Sequence, residues 1–334
     1  MKRKIIKQGN NTLTITLPTK WAKELNLNPG EEIDVVEKEG ALLINGRKKF
    51  NEKRAVIDIT GFTVPLLWRF FQSAYRAGCD EIKVIFDPDK KKYEDAYHYY
   101  TTQFDYAKLG EKMPPKPAIA MIQEVVNRFV GVDIIESGEN YCIVKEMGEI
   151  SAKEFPNSMR RIFLVILQMF HRLREAIENN EINDPTLCKE IHTIDLNVDK
   201  FVDYCARILN KAPDFSPESR KSLIFSSLFI LELIGDEFKY AGKHLALTKK
   251  PVKEILPLLK VAQEHFEMYY NLFYKFDKDL AIELGKKDVE VYEKHYNMKD
   301  KMKGENRSIL THIMRITKYT LSLAELRIEM EYTG

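Results

Sequence analysis

Carboxylates are rarely set into the most apolar part of a helix, yet residues 223–236 carry two. Leu223, Ile224, Phe225, Leu228, Phe229, Ile230, Leu231, Leu233, Ile234 and Phe238 form an almost wholly apolar helical run, with Glu232 and Asp236 placed in it four residues apart. That spacing puts both side chains on one helix face, where like charges repel. Since an unpaired carboxylate in apolar surroundings is costly, the pair must turn to water or meet a cation. One helix earlier, Asp195 and Asp199 repeat the arrangement, with Asp203 a turn further on. The shift that carries Asp195 to Asp288 also carries Glu232 to Glu325 and Asp236 to Glu329. A constant offset of this kind predicts one helical unit used twice.

From Ser151 onward, strand signals vanish and long amphipathic runs take over. Helices are expected over 153–179, from Asp184 and Pro185, from Ser216 and Pro217, from near Pro251 or Pro257, over 279–301 and over 308–330. The acids and prolines at these starts are helix-entry signals. Six helices in two matching triplets imply an all-α domain of two three-helix bundles over 151–334.

The first 50 residues read differently. Short alternating strands flank a Gly-Asn-Asn turn, Thr12 to Pro18 leads into two helical turns at Thr19 to Leu25, and Ile33 to Val36 and Ala41 to Ile44 form two more strands. So few residues cannot bury enough surface alone, whereas two copies exchanging hairpins can. Residues 1–23 hold six basic side chains (Lys2, Arg3, Lys4, Lys7, Lys20 and Lys23) and no acid. Clustered charge of this sort is what contact with a phosphate backbone requires. Asn10 and Asn11 at the turn add neutral donors.

Residues 51–150 give strand, helix, strand, then a tyrosine-rich stretch (Tyr93, Tyr97, Tyr99, Tyr100 and Tyr106), a helix from Ala118 and two strands, an order that suggests a ferredoxin-like α+β spacer. No chemistry is evident there, and packing explains the tyrosines better than base stacking. A length of 334 residues suits two or three domains, and 44% hydrophobic with 31% charged residues describes a globular chain. Cys79, Cys142, Cys188 and Cys205 show no metal-ligand spacing and read as buried thiols of a reduced, cytoplasmic protein. No apolar run is long enough to span a bilayer, and no export signal opens the chain.

Two family resemblances rest on particular residues. Thr14-Ile15-Thr16-Leu17-Pro18, Leu25-Asn26-Leu27-Asn28-Pro29-Gly30-Glu31 and Ile33-Asp34-Val35 resemble the AbrB/MazE/SpoVT swapped-hairpin family. This resemblance implies a homodimer that lays a basic sheet face on DNA. Leu231-Glu232-Leu233-Ile234-Gly235-Asp236, running on to Ala246, together with Ile255 to Leu259 and Phe276 to Ala281, is similar to the PhoU family of phosphate-uptake regulators. The PhoU resemblance implies metal sites built from acid pairs on the second and third helices of each repeat. Asp195, Asp199, Glu232 and Asp236 match the first site; Asp288, Glu325 and Glu329 match the second, with Tyr292 where an acid is expected. Hard, oxygen-bound cations suit such a set, with iron, Mn, Mg, Ca or Zn all permitted.

Enzyme chemistry is set aside. A di-iron oxidase needs Glu-x-x-His pairs, which this chain lacks, and the nucleotide-loop, zinc-protease and serine-hydrolase motifs are missing too. The reading is therefore multidomain: a swapped-hairpin DNA-binding unit over 1–50, a spacer over 51–150, and a PhoU-like helical domain. Its expected function is transcriptional regulation of phosphate uptake, with a phosphate transporter ATPase or a sensor protein as a further partner. The alternative is an adaptor that acts on a phosphate transporter without binding DNA.

Overall fold

A computed structural model describes residues 1–9, 11–38, 40–45, 52–87, 116–148, 150–212, 218–250 and 252–333. The tyrosine-rich stretch, Asn10, and the Ser216 and Pro217 helix signal lie outside the described residues. The chain forms two compact units, Met1–Glu52 and Lys53–Gly334.

In the first unit, β1 (Ile6–Gln8) pairs antiparallel with β2 (Thr12–Thr14), and the Thr14 hydroxyl donates to the Ile6 carbonyl at 3.2 Å. A short helix, α1 (Thr19–Glu24), follows Pro18, and β3 (Asp34–Lys38) pairs antiparallel with β4 (Ala41–Asn45). Two separate two-stranded hairpins are marginal structures in water. Consistent with this, none of the described residues of the unit is buried, and Ile5, Leu13 and Leu42 are all more than 60% exposed.

The second unit opens with β5 (Arg54–Asp58), α2 (Val64–Arg76) and β6 (Glu81–Ile85), followed by α3 (Ala118–Val126), β7 (Val132–Ser137) and β8 (Tyr141–Glu146). Its sheet runs β5-β6-β8-β7, with β5 and β6 parallel and the other pairs antiparallel. Alternating Ile82 and Val84 on β6, with Cys142 and Val144 on β8, face a core completed by Leu67, Phe71 and Tyr75 of α2 and Ile122 of α3. A ferredoxin-like sheet splits its βαβ strands around a third; here α2 returns the chain to the strand adjacent to β5, so the module is a mixed sheet of different order.

Six helices follow: α4 (Phe155–Glu178), α5 (Pro185–Lys211), α6 (Lys221–Leu247), α7 (Leu256–Tyr274), α8 (Lys278–Lys299) and α9 (Glu305–Glu329). Asp184 caps α5 by accepting from the Thr186 amide at 2.8 Å, and Asp277 caps α8 by accepting from Asp279 and Leu280. The two triplets share one continuous core rather than two, with α4 against α7 and α6 against α9. Aromatic edges knit it together, among them Phe170 on Phe238 at 4.6 Å between ring centroids. The four cysteines are free and buried.

One polar strip ties the mixed sheet to the helices. Arg207 of α5 is wholly buried and donates to the carbonyls of Tyr75 at 2.7 Å and Cys79 at 2.9 Å, and to Glu146 at 3.1 Å, with its guanidinium 4.7 Å from the Tyr75 ring centroid. Asn210 donates to the Arg76 carbonyl at 2.8 Å, and Lys211 pairs with both Asp80 and Glu146. These donors converge on carbonyls at the end of α2 and just beyond it. The chain leaves α2 through Gly78, at φ +81°, where an added Cβ would stand 3.3 Å from the Cβ of Lys211. Arg207→Met is expected to lower the stability of the second unit by about 3–5 kcal/mol in urea unfolding, because Glu146 loses one of its two cations and the Tyr75 and Cys79 carbonyls lose a charged donor in a dry setting. Arg207→Lys, which keeps the charge and loses the fork, is expected to fall between the two.

Candidate functional site

Four carboxylates predicted from the sequence to act together are neighbours in the structure. Asp195 and Asp199 lie on α5, and Glu232 and Asp236 on α6, where the helices approach closely at Gly235. An added Cβ there would stand 2.7 Å from Asp195 Oδ1, so the glycine makes room for the acid itself. Asp195 is fully buried, and its Oδ1 has no hydrogen-bond partner; Asp199, Glu232 and Asp236 are half-buried.

The group brings its own cation. Lys239, a turn beyond Asp236 on α6, donates to Asp195 Oδ2 at 3.1 Å and pairs with Asp236. Burial works against the ammonium, but the carboxylates of Asp195, Asp236 and Asp199 outweigh it and raise its pKa. For the acids the balance goes the other way. Burial pushes Asp195 up to about 6 despite Lys239, and pushes Glu232 up to about 7 with Asp236 adding to the effect. Asp199 is raised by burial, then by Asp195 and Glu232.

The mixed-sheet module supplies the rim. Trp68, Arg69 and Gln72 of α2, with Arg128, close over Asp199, Glu232 and Asp236 around a cavity of about 160 Å³. The Arg128 guanidinium lies 3.8 Å from the Trp68 ring centroid. One turn along α5, Asp203 accepts from Gln72 at 3.1 Å and pairs with Arg76; burial lifts its carboxyl to about 6 against the pull of Arg76. The region expected to be a spacer without chemistry thus provides the positive wall of the site. Sequence spacing could not reveal this, although Arg69, Gln72 and Arg76 do share one face of α2.

The second set is looser. Asp288 on α8 is half-buried and raised by burial, with Glu325 adding to the effect and Lys318 opposing it. Glu325 and Glu329 on α9 are exposed, and Tyr292 is 53% exposed, with its ring 6.5 Å from that of Tyr296.

Among the described residues, no three His, Cys, Asp or Glu side chains are arranged to hold a metal ion together. As arranged, Asp195 and Asp236 hold the Lys239 ammonium, the cation that the structure places beside the acids expected from the sequence to bind a metal. Lys2, Arg3, Lys4, Lys7, Asn11, Lys20 and Lys23, expected from the sequence to contact DNA, are all exposed. Lys20 lies 3.9 Å from Glu24, a partner on its own helix.

A carboxyl raised on folding holds its proton more tightly in the folded chain, so its contribution to stability is full below the unfolded pKa and is lost as pH rises through the folded pKa. Between about pH 4 and pH 7, Asp195, Asp203 and Glu232 should therefore make the protein less stable as pH rises, with no further loss above. Glu232→Gln is expected to flatten that slope and to add about 1 kcal/mol near pH 8 in urea unfolding. Lys239→Met is expected to cost about 3 kcal/mol near pH 8 and distinctly less near pH 5, where the stranded acids can take up protons.

Comparison with known proteins places the two units. Residues 6–51 match the family described as "Antidote-toxin recognition MazE, bacterial antitoxin". No curated protein matches the sequence. A crystal structure of the phosphate transport system regulatory protein PhoU from Streptococcus pneumoniae is similar at 19% identity and a TM-score of 0.46, covering 55% of this chain and 95% of that one. Among the described residues, no helix is long and apolar enough to cross a membrane. Residues 6–51 thus form a MazE-like domain.

Proposed function

We propose that this protein is a cytoplasmic, non-catalytic regulator of phosphate uptake that binds DNA as a dimer through residues 1–50. One observation carries the reading: the N-terminal unit buries none of its described side chains, yet exposes Ile5, Leu13 and Leu42 beside a set of unopposed basic residues. A second copy would cover the apolar side chains, and a phosphate backbone would answer Lys2, Arg3, Lys4 and Lys7. The phosphate connection rests on the residues around Leu231 to Ala246, whose likeness to PhoU the six-helix layout accommodates. In this reading the acid cluster is an internal charge lock between α5, α6 and the mixed sheet, and no metal ion is assigned to it. A transporter ATPase or a sensor protein is the partner to which the helical body would respond.

Anisotropy titrations of the full chain on duplexes from phosphate-transport promoters test the reading. Binding should weaken steeply with salt, and the joint change of Lys2, Arg3, Lys4 and Lys7 to Ala should cut affinity and lower the salt slope by up to about 1 per lost contact. Sedimentation should show a dimer, which Leu13→Glu is expected to weaken. Failure to bind any duplex, with the dimer intact, would leave the N-terminal unit as a dimerisation module and favour the adaptor acting on a transporter.

A further inference from the structure

We propose that the cleft between α8 and α9 is a binding site for a small phosphate-bearing anion, either a free phosphate or the phosphate chain of a nucleotide. This goes beyond the DNA and phosphate-uptake reading and rests on different residues.

The cleft has a volume of about 290 Å³, and its polar lining is His295 and Lys299 from α8 with Arg307, Thr311, Arg315 and Lys318 from α9. No carboxylate lines it. The spacing is what gathers the charges: His295 and Lys299 are one turn apart, and Arg307, Thr311, Arg315 and Lys318 follow one another at three- and four-residue steps. On α9 the like charges of Arg315 and Lys318 stand one turn apart, an arrangement that costs helix stability. Elsewhere the fold pairs its cations closely. Lys287 on the same helix lies 3.0 Å from both Glu264 and Glu290, and Arg172 holds Glu181 and Glu190 at 2.6 and 2.7 Å.

In the cleft, the partners are remote or already engaged. Arg315 is 3.7 Å from Glu237, whose carboxylate is held at 2.5 Å by His312 Nδ1. Lys318 feels the carboxylate of Asp288, and Lys299 lies 4.0 Å from the Tyr296 ring centroid. Burial, then Lys299 and Lys318, holds the His295 imidazole below its usual range, the response of a group in a positive field with no anion beside it.

The chemistry selects the ligand class. Two guanidinium groups offer planar forks that match phosphate oxygens, and the lysines add point charges. Leu310 and Met314, both buried, form the apolar floor of the cleft beneath these charges.

Isothermal titration of the full-length protein near physiological salt tests the site, with inorganic phosphate, pyrophosphate and ATP as probes and sulfate as the control for charge alone. Saturable binding of one ligand per chain is expected for at least one phosphate probe. The double variant Arg307→Gln/Arg315→Gln should weaken it about tenfold or more while the helical signal in circular dichroism is retained. Lys299→Gln/Lys318→Gln should do the same. The His295 ring resonance should titrate at higher pH when the probe is bound. ATP binding well above pyrophosphate would identify a nucleotide as the source; equal binding would identify the phosphates alone. The proposal is overturned by the absence of saturable binding at millimolar probe, by sulfate binding as well as every phosphate, or by binding that both double variants leave unchanged. Phosphate binding should survive the N-terminal Lys2, Arg3, Lys4 and Lys7 change to Ala, so failure of the DNA reading and failure of this one are told apart.

Discussion

The second unit depends on one buried guanidinium. Arg207 projects from α5 into the end of α2, and its two terminal nitrogens donate to two backbone carbonyls and Glu146. A charge so far from water is tolerated only when it is both paired and hydrogen-bonded, which fixes how α5 must meet the mixed sheet. Its neighbours on α5 extend the constraint: Asp203 holds Gln72 and Arg76, Asn210 caps the Arg76 carbonyl, and Lys211 bridges Asp80 and Glu146. With α2 pinned by its last two turns, Trp68, Arg69 and Gln72 are carried over the acid cluster. The geometry of the candidate site is thus a consequence of the strip that joins the two layers.

Charge balance inside that site is settled within the chain. Four acids on two helices make a strongly negative patch, and the fold answers it by three routes: the Lys239 ammonium, the arginines of the neighbouring module, and raised pKa values that let Asp195 and Glu232 hold protons. Low local dielectric strengthens each of these contacts and makes each vacancy expensive. Such a cluster resists rearrangement until something changes its net charge. The second acid set lacks this lock, since Glu325 and Glu329 are exposed and Lys318 serves a cleft on its other side. The repeat has therefore kept its helices in both copies and diverged in what the helices carry.

The N-terminal unit follows the opposite logic. It has regular hairpins and a capped turn, with Asn28 Nδ2 donating to Glu31 at 3.0 Å, yet none of its described residues is withdrawn from water. Backbone pairing alone does not offset the entropy of ordering such short segments. A unit of this kind takes its stability from what it assembles with, which is why the same residues that form it also define its binding surface.

Much of this was legible in the sequence, for a physical reason. Helical periodicity, Asp184 as a cap, and the four-residue spacing of Asp195 with Asp199 and Glu232 with Asp236 are local properties of one chain segment, and local properties survive folding. The hairpins of residues 6–45 were readable on the same ground. The partner of each charge was not. Lys239 stands in plain view one turn after Asp236, but its second contact, with Asp195, crosses to another helix. Arg76, Arg128 and Arg207 reach partners on other elements, and the order of the mixed sheet is set by which strands meet. Sequence alone fixed where acids must gather, because helix geometry is short-range; tertiary structure decided which cations meet them, because burial and electrostatic pairing depend on residues far apart in the chain.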